Sequence, residues 1–164
     1  VLEAVSQDGF ALQFASVGLR DALDIVLPAV SQDGAALQFA SQTLQDTPEV
    51  VLEAVSQDGS ALQFASERLQ HRYNIVLPAV MQDGSALRFA SVILQDNFDV
   101  VLAAVKQNGL ALQYASARLR ADPKITYAAC NPENGPYNEE AFEFVIQSSD
   151  ILDNLFAALA RQKK

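Results

Sequence analysis

The sequence has little of what metal sites, disulfides and membrane spans require. It contains one cysteine, one histidine and no tryptophan in 164 residues. A single cysteine excludes a disulfide within the chain, and one cysteine with one histidine cannot build the usual transition-metal site. No apolar run approaches the roughly 20 residues of a membrane-spanning helix, and no basic segment precedes an apolar one as in a signal peptide. We therefore expect no metal, no cofactor and no membrane span.

Basic residues are also scarce and unevenly placed. The chain has 11 of them against 20 acidic residues, which gives a formal net charge of −9. Residues 1–60 hold nine acidic side chains and one basic one, Arg20, whereas residues 61–130 hold five acidic and seven basic ones. A negative field repels phosphate groups and argues against a nucleic-acid partner. The charge favours a basic protein or peptide, unless it serves solubility alone.

What the sequence does have is a repeat of 25 residues. Glycine recurs at this step, at Gly9, Gly34, Gly59, Gly84 and Gly109. Glutamine recurs from Gln7 and serine from Ser16 at the same step. The phrase VLEAVSQDG at Val1 returns at Val51, while IVLPAV occurs in the units between, so two kinds of unit alternate. A fixed period of this length indicates a stack of like units.

Each unit has the pattern of two short helices. In the third unit, Thr47 and Pro48 suit the N-cap and first position of a helix. Gly59 is placed to end that helix in the left-handed conformation. Apolar residues then follow at a spacing that lines one helical face: Ala61, Leu62, Ala65 and Leu69. Such short helices are unstable alone, so we predict an all-α solenoid in which each hairpin packs on its neighbours.

Pro28 and Pro78 lie within the first-helix motif, where proline normally breaks a helix. Asp24 and Asn74 precede them by four residues and are good N-caps. We therefore expect the first helices of the even-numbered units to begin about two residues later than those of the odd-numbered units.

The repeat array extends over residues 1–130, and residues 131–164 read as a degenerate last unit with a C-terminal cap. We predict a loop from Asn131, a helix capped by Asn138, and a last helix from Ser149 or Asp150. Val1 aligns with the middle of the first-helix motif, so we expect further repeats or another domain before it.

Residues with reactive or ligating side chains have structural interpretations. Cys130 falls in the register of Val5, which favours a buried apolar role over a nucleophile. His71 falls in a loop between units. The recurring aspartates, beginning with Asp8, lack the ligand spacing of a calcium loop, and capping of the second helix is the better account. We predict no catalytic residues and no enzyme activity.

Two glutamine series, from Gln7 and Gln13, support two interpretations. They form a ladder of hydrogen bonds or cap backbone groups, or else they line a groove that binds a peptide backbone. Arg88 replaces glutamine in the second series, so we expect that position to be partly exposed.

Three positions vary against the constant frame: those of Val17, Gly18 and Leu23 in the first unit. They fall at the end of the second helix and in the loop that follows. Variation of this kind indicates either a partner-specific surface or neutral change at solvent positions, and loop aromatics can also join adjacent units. We take as the candidate partner-binding surface Arg68, Arg72, Tyr73, Arg88 and Phe98, which are residue types that interfaces favour.

The segment from Val100 to Leu119, VVLAAVKQNGLALQYASARL, resembles the repeat known as domain of unknown function 4116. The resemblance covers residues 1 to about 130, and that bihelical repeat corresponds to two of the 25-residue units. Such repeats occur in secreted effectors of amoeba-infecting intracellular bacteria and in protist proteins. The resemblance implies no catalytic residues.

On this resemblance we expect a scaffold within a larger effector that binds a host protein or peptide. The location implied is the host cytoplasm, or the cytoplasm of the source cell if the chain is not an effector. The acidic block from Glu139 to Glu143 resembles those that assist type IV secretion signals, although the first turn of a helix also favours acidic residues. The alternative is a structural spacer or targeting module for an upstream catalytic domain.

Overall fold

The computed structural model describes residues 1–131 and 138–147, and within these ranges the chain forms helices and no strands. Each 25-residue unit makes one turn of a solenoid with three sides. A long α-helix, a 3₁₀-helix and a one-turn α-helix follow one another in every unit. The predicted all-α repeat solenoid is confirmed.

The three kinds of helix recur in a fixed order. The long helices are α1 (Leu2–Gln7), α3 (Leu23–Gln32), α5 (Pro48–Gln57), α7 (Tyr73–Gln82), α9 (Phe98–Gln107) and α11 (Pro123–Cys130). The 3₁₀-helices are η1 (Gly9–Phe14), η2 (Gly34–Phe39), η3 (Gly59–Phe64), η4 (Gly84–Phe89) and η5 (Gly109–Tyr114). The short helices are α2 (Val17–Arg20), α4 (Gln42–Gln45), α6 (Glu67–Gln70), α8 (Val92–Gln95) and α10 (Ala117–Arg120). A further helix, α12 (Glu139–Gln147), lies after the array.

Contacts between equivalent helices form the solenoid. Each long helix packs on the next long helix, and each 3₁₀-helix packs on the next 3₁₀-helix. In the third unit the core consists of fully buried side chains from all three sides: Val50, Val51, Ala54 and Val55 of α5, Ala61 and Leu62 of η3, and Leu69 of α6. The apolar positions of one unit therefore complete the core of its neighbours, which is the energetic basis of a solenoid.

The prediction of one continuous second helix is wrong. The structure divides this segment into a 3₁₀-helix and a one-turn α-helix. In the third unit the break is at Ala65, whose backbone is extended (φ −68°, ψ 152°). The next residue, Ser66, donates its backbone N–H to the Gln45 carbonyl of the preceding unit at 2.9 Å. A hydrogen bond between units thus replaces the intrahelical bond that a continuous helix would make.

The prediction that the recurring glycines adopt the left-handed conformation is also wrong, since none of the described glycines has a positive φ. Gly59 begins η3, and its close neighbour is the Ala79 carbonyl oxygen of the next unit. A Cβ on Gly59 would overlap that oxygen and crowd the Asp83 backbone. The recurring glycine therefore allows two units to approach closely, which is a second established use of glycine.

The predicted shift of helix starts does not occur. The helices α3 and α7 begin at Leu23 and Tyr73, in the same register as α5 and α9, so Asp24 and Asn74 lie inside the first turn. Pro28 removes one of the first backbone bonds of α3. The carbonyl left without this bond belongs to Asp24, an exposed residue, so water can satisfy it.

Capping by the residue before each long helix also differs between units. Thr47 lies at the N-cap of α5, but its hydroxyl donates to the Thr43 carbonyl at 2.8 Å instead of capping. Asn97 does cap α9, because its Oδ1 accepts from the backbone N–H groups of Asp99 and Val100.

The array ends against α12. This helix packs on α11 and η5, with Ala141 and Val145 buried. The predicted Asn138 cap is confirmed, since its Oδ1 accepts from the Ala141 N–H at 2.9 Å. The predicted last helix from Ser149 or Asp150 and residues 132–137 of the predicted loop lie outside the described residues.

Candidate interaction surface

Two members of the first glutamine series, Gln82 and Gln107, join consecutive units through backbone groups. Gln82 accepts from the Gly59 N–H at 2.6 Å and donates to the Gln57 carbonyl at 3.0 Å. Gln107 makes the same two bonds to Gly84 and Gln82. A ladder therefore exists, built from side-chain to backbone bonds rather than from bonds between glutamine side chains. These amides serve the fold and do not line a peptide groove.

The second glutamine series is local and exposed. Gln38, Gln63 and Gln113 each donate to the carbonyl three residues earlier. Arg88 is exposed as predicted, with its guanidinium carbon 4.5 Å from the centre of the Phe89 ring. It lies on the row of 3₁₀-helices, apart from the other candidates, which lie on the short helix α6 or at the starts of α7 and α9.

The recurring aspartates cap the 3₁₀-helices, as predicted for a second helix. Asp33 Oδ1 accepts from the Ala35 N–H at 2.9 Å, and Asp58 and Asp83 make the equivalent bonds. Among residues 1–131 and 138–147, no group of three or more histidine, cysteine, aspartate or glutamate side chains is placed to hold a metal ion.

A different set of aspartates, at position 21 of units 1, 2 and 4, binds the next unit. The Ser66 hydroxyl donates to Asp46 and also accepts from the Leu69 N–H, so it caps α6. Ser116 makes the same pair of bonds with Asp96 and Leu119. Serine at position 16 therefore has two roles, one in its own helix and one toward the preceding unit.

Arg68 completes one of these contacts. Its Nε donates to both Asp46 carboxylate oxygens, at 3.0 and 3.1 Å, and its Nη2 donates to the Asp46 carbonyl at 2.8 Å. The Ser66 hydrogen bond, followed by that of Arg68, lowers the pKa of Asp46 below its ordinary value. Arg68 thus holds two units together. Arg68 was predicted to contact a binding partner, and its guanidinium is already paired with Asp46 of the same chain.

The same ion pair recurs two units later. Arg118 Nε donates to Asp96 at 3.1 Å and its Nη2 donates to the Asp96 carbonyl at 2.8 Å. Hydrogen bonds from Ser116 and Arg118 lower the pKa of Asp96. The ion pair therefore occurs at the junction of units 2 and 3 and again at that of units 4 and 5.

The junction of units 3 and 4 differs. His71 replaces the aspartate and Ile93 replaces the arginine, although the backbone bond is kept: the Ser91 N–H donates to the Gln70 carbonyl at 3.1 Å. The His71 ring is exposed, as predicted, and its Nδ1 lies 2.7 Å from the Glu67 carbonyl oxygen.

A small open cleft of about 120 Å³ lies where unit 3 passes into unit 4. Its walls are the side chains of Pro48, Arg68, Leu69, Arg72, Asn74 and Ile75. Arg72 is exposed, and Tyr73 beside it is 44% exposed. The structure therefore brings together three of the predicted surface residues, Arg68, Arg72 and Tyr73.

The remaining candidate, Phe98, occupies the register of Tyr73 one unit further on and is half-buried against the core. Its packing against the core agrees with the alternative of a structural role for loop aromatics. The prediction did not select Val92 and Ile93, which are 77% and 71% exposed. The sequence does distinguish this apolar pair, because no other unit has branched aliphatic residues at both of these positions.

The single cysteine is the other side chain with a reactive group, and it has a structural role. Cys130 is buried at the end of α11, as its register predicted, and burial raises the pKa of its thiol. Within the described part of the chain, no helix is both long and apolar enough to cross a bilayer.

Comparison with known proteins identifies a family. The family model described as domain of unknown function (DUF4116) matches the chain three times, over residues 1–45, 47–95 and 97–147. The first two matches each span two structural units, and Asp46 and Asp96 fall between the matches. No curated protein and no solved structure gives a significant match. With matches over most of its length, the chain belongs to the DUF4116 family.

Proposed function

We propose that this chain is a protein-binding scaffold without catalytic activity, and that the row of short helices is its binding surface. One observation supports this most. Positions 17 and 18 of every unit are exposed, and their residues change from unit to unit. They read Val17 and Gly18, Gln42 and Thr43, Glu67 and Arg68, Val92 and Ile93, and Ala117 and Arg118.

The constant residues of the same row serve the fold. Ser66 caps its helix and binds the preceding unit, and Leu69 is buried. Constant residues inside and variable residues outside are typical of repeat scaffolds, in which the frame is retained and the surface differs. Arg72 and Tyr73, at the end of this row, belong to the same surface.

Charge favours a protein or peptide with a basic segment. The net negative charge of residues 1–60 gives the first two units an acidic surface, which attracts basic segments and repels phosphate backbones. The proposal therefore places a basic part of the partner at units 1 and 2, and it excludes nucleic acid.

Quantitative affinity capture tests this proposal. The immobilised chain is exposed to eukaryotic cell lysate beside a variant with serine at Val17, Gln42, Val92 and Ile93. A partner on the short-helix row is retained by the unchanged chain and lost from the variant. The matched control is a second variant with serine at Phe14, Met81 and Tyr127, which are exposed residues outside the short-helix row. Equal retention by all three proteins would contradict the proposed surface.

The second candidate function is a structural spacer for another domain. The bonds from Gln82, Gln107 and the two arginines to the preceding unit make the array rigid, which suits a spacer. Five units at about 10 Å each would extend roughly 50 Å, since packed helices lie about this far apart. Inserting or deleting 50 residues would change the activity of an attached domain if the chain is a spacer, and would leave it unchanged if the chain only binds a partner.

The setting we propose is an effector delivered into a eukaryotic host cell through type IV secretion. The DUF4116 membership supports this through the resemblance to effector repeats, and the acidic first turn of α12 adds Glu139 and Glu140. A translocation reporter fused to the chain tests it: signal in infected host cells is expected from a secretion-competent strain. Signal that persists in a strain lacking the secretion system would contradict the proposal.

A further inference from the structure

The short-helix row has one apolar spot in the interior of the array. Val92 and Ile93 are adjacent on α8 and are 77% and 71% exposed. The other large exposed apolar side chain on this row is Val17, 75% exposed, in unit 1, and no described unit precedes unit 1. Val92 and Ile93 have units on both sides, so their exposure is not an effect of the end of the array.

Ile93 faces a junction that lacks the ion pair. At the equivalent place in the neighbouring junctions, Arg68 binds Asp46 and Arg118 binds Asp96. Here His71 and Ile93 stand at those two positions, and neither is required by the backbone bond between Ser91 and Gln70. The chain therefore has an apolar side chain at a position where the junctions on either side use an arginine to hold units together.

Positive charge lies at the same junction, because Ile93 has the register in which Arg68 contacts Asp46, and Arg72 directly follows His71 at the position of that aspartate. Arg72 is exposed and, with Arg68, forms part of the wall of the cleft between units 3 and 4. Asp46 already neutralises Arg68, so Arg72 is the cation that the cleft offers to a ligand. This local charge is opposite to that of units 1 and 2, where acidic residues predominate.

We propose that the cleft and the apolar spot together bind an extended peptide segment that carries an acidic side chain and, about three residues away, a large aliphatic or aromatic one. The acidic side chain would pair with Arg72, and the apolar one would cover Val92 and Ile93. The inference rests on the proposed scaffold function and adds to it the chemistry of one binding site.

The spacing follows from the geometry of the array. Consecutive units lie about 10 Å apart, as packed helices do. An extended chain advances about 3.3 Å per residue, so about three residues span one unit. A guanidinium also pairs well with a carboxylate, which specifies the acidic residue more closely than a diffuse positive field would.

The experiment is a selection of random dodecapeptides displayed on phage against the full chain. The patch variant is Val92→Gln with Ile93→Thr, which gives α8 the sequence QTLQ that α4 already has at the same place. The chain already accommodates QTLQ in unit 2, and an equal melting temperature of the patch variant and the unchanged chain separates loss of binding from loss of fold. The matched control is Met81→Gln with Tyr127→Thr, which replaces two exposed apolar side chains of the long helices, outside the short-helix row, by the same polar residues.

We expect enrichment of peptides with an acidic and a large apolar residue three positions apart. Their affinity for the patch variant should fall at least tenfold, and their affinity for the control variant should be unchanged. Arg72→Glu should reverse the charge preference, so that selection against it enriches lysine or arginine at the position of the acidic residue.

The outcomes separate the two proposals. Enriched peptides that lack this pattern, or that bind the patch variant equally well, would overturn the inference and leave the scaffold function intact. Charge preference that does not change with Arg72→Glu would overturn the proposed role of Arg72. If no peptide is enriched on any of the proteins, both the inference and peptide binding by the scaffold are rejected.

Discussion

The junctions between units 2 and 3 and between units 3 and 4 share a backbone and differ in their surface chemistry. Both have a serine N–H donating to the carbonyl 21 residues earlier, and both have a glycine against a carbonyl of the next unit. Only the first has the Asp46–Arg68 ion pair, and the second has His71 and Ile93 instead. Buried backbone contacts therefore define the junction, and the exposed side chains on it are free to differ.

The largest expected effect comes from filling the space at the recurring glycine. Gly34→Ala and Gly59→Ala should each destabilise the chain by about 3 kcal/mol, because a Cβ would overlap a backbone carbonyl that cannot move alone. Urea denaturation measures the change. The two losses should agree closely if the backbone contact dominates both junctions.

The control for this pair is Gly18→Ala. A Cβ on Gly18 meets nothing within 4 Å, and the residue lies in α2, so alanine should be neutral or stabilising by about 0.5–1 kcal/mol. A loss at Gly34 alone would show that the ion pair and the glycine contact depend on each other.

A smaller effect is expected from the glutamine ladder. Gln82→Ala and Gln107→Ala each leave a buried glycine N–H without its side-chain partner, which costs about 1–2 kcal/mol. Hydrogen exchange of the Gly59 and Gly84 amides measures the effect at each site. Exchange should accelerate at Gly59 only in the first variant and at Gly84 only in the second. Acceleration at both sites in either variant would contradict a bond-by-bond ladder.

The difference between the two junctions can be removed by introducing the missing ion pair at the junction of units 3 and 4. His71→Asp with Ile93→Arg gives the junction of units 3 and 4 the residues found at the junctions on either side. Exposed ion pairs contribute little, so we expect a small rise in melting temperature that high salt abolishes. A fall in melting temperature would show that His71 and Ile93 are needed for stability. Thr43→Arg, opposite Asp21, is the matched control.

The smallest effect concerns pH. The pKa of Asp46 and of Asp96 is lower in the folded chain than the ordinary value of 3.8, so both carboxylates stabilise the fold above that pH. This contribution is lost as the pH falls below 3.8 through the lowered pKa. Asp46→Asn with Asp96→Asn should therefore be less stable than the unchanged chain at pH 7 and equal to it at strongly acidic pH. A difference that is constant with pH would contradict the role of the two charges.

The repeat, its alternation and the helical class could be predicted from sequence, because they depend on periodicity alone. The exposure of His71 and Arg88, the burial of Cys130 and the Asn138 cap could also be predicted, because each follows from register or from local hydrogen bonding. Three residues of the candidate surface, Arg68, Arg72 and Tyr73, do lie together, and their role in binding a partner stays a prediction. The packing of Phe98 against the core could not be predicted, because an aromatic residue at a loop position gives no sign of how far its neighbours cover it.

The sequence by itself determined that units of 25 residues stack into an all-helical solenoid, since each unit has too little apolar surface to be stable alone. Only the tertiary structure decided the path of the chain within a unit. The break at Ala65, the negative φ of Gly59 and the pairing of Arg68 with Asp46 all depend on contacts with an adjacent unit. Such contacts join residues about 20 apart, beyond the reach of local propensity, and for that reason they override it.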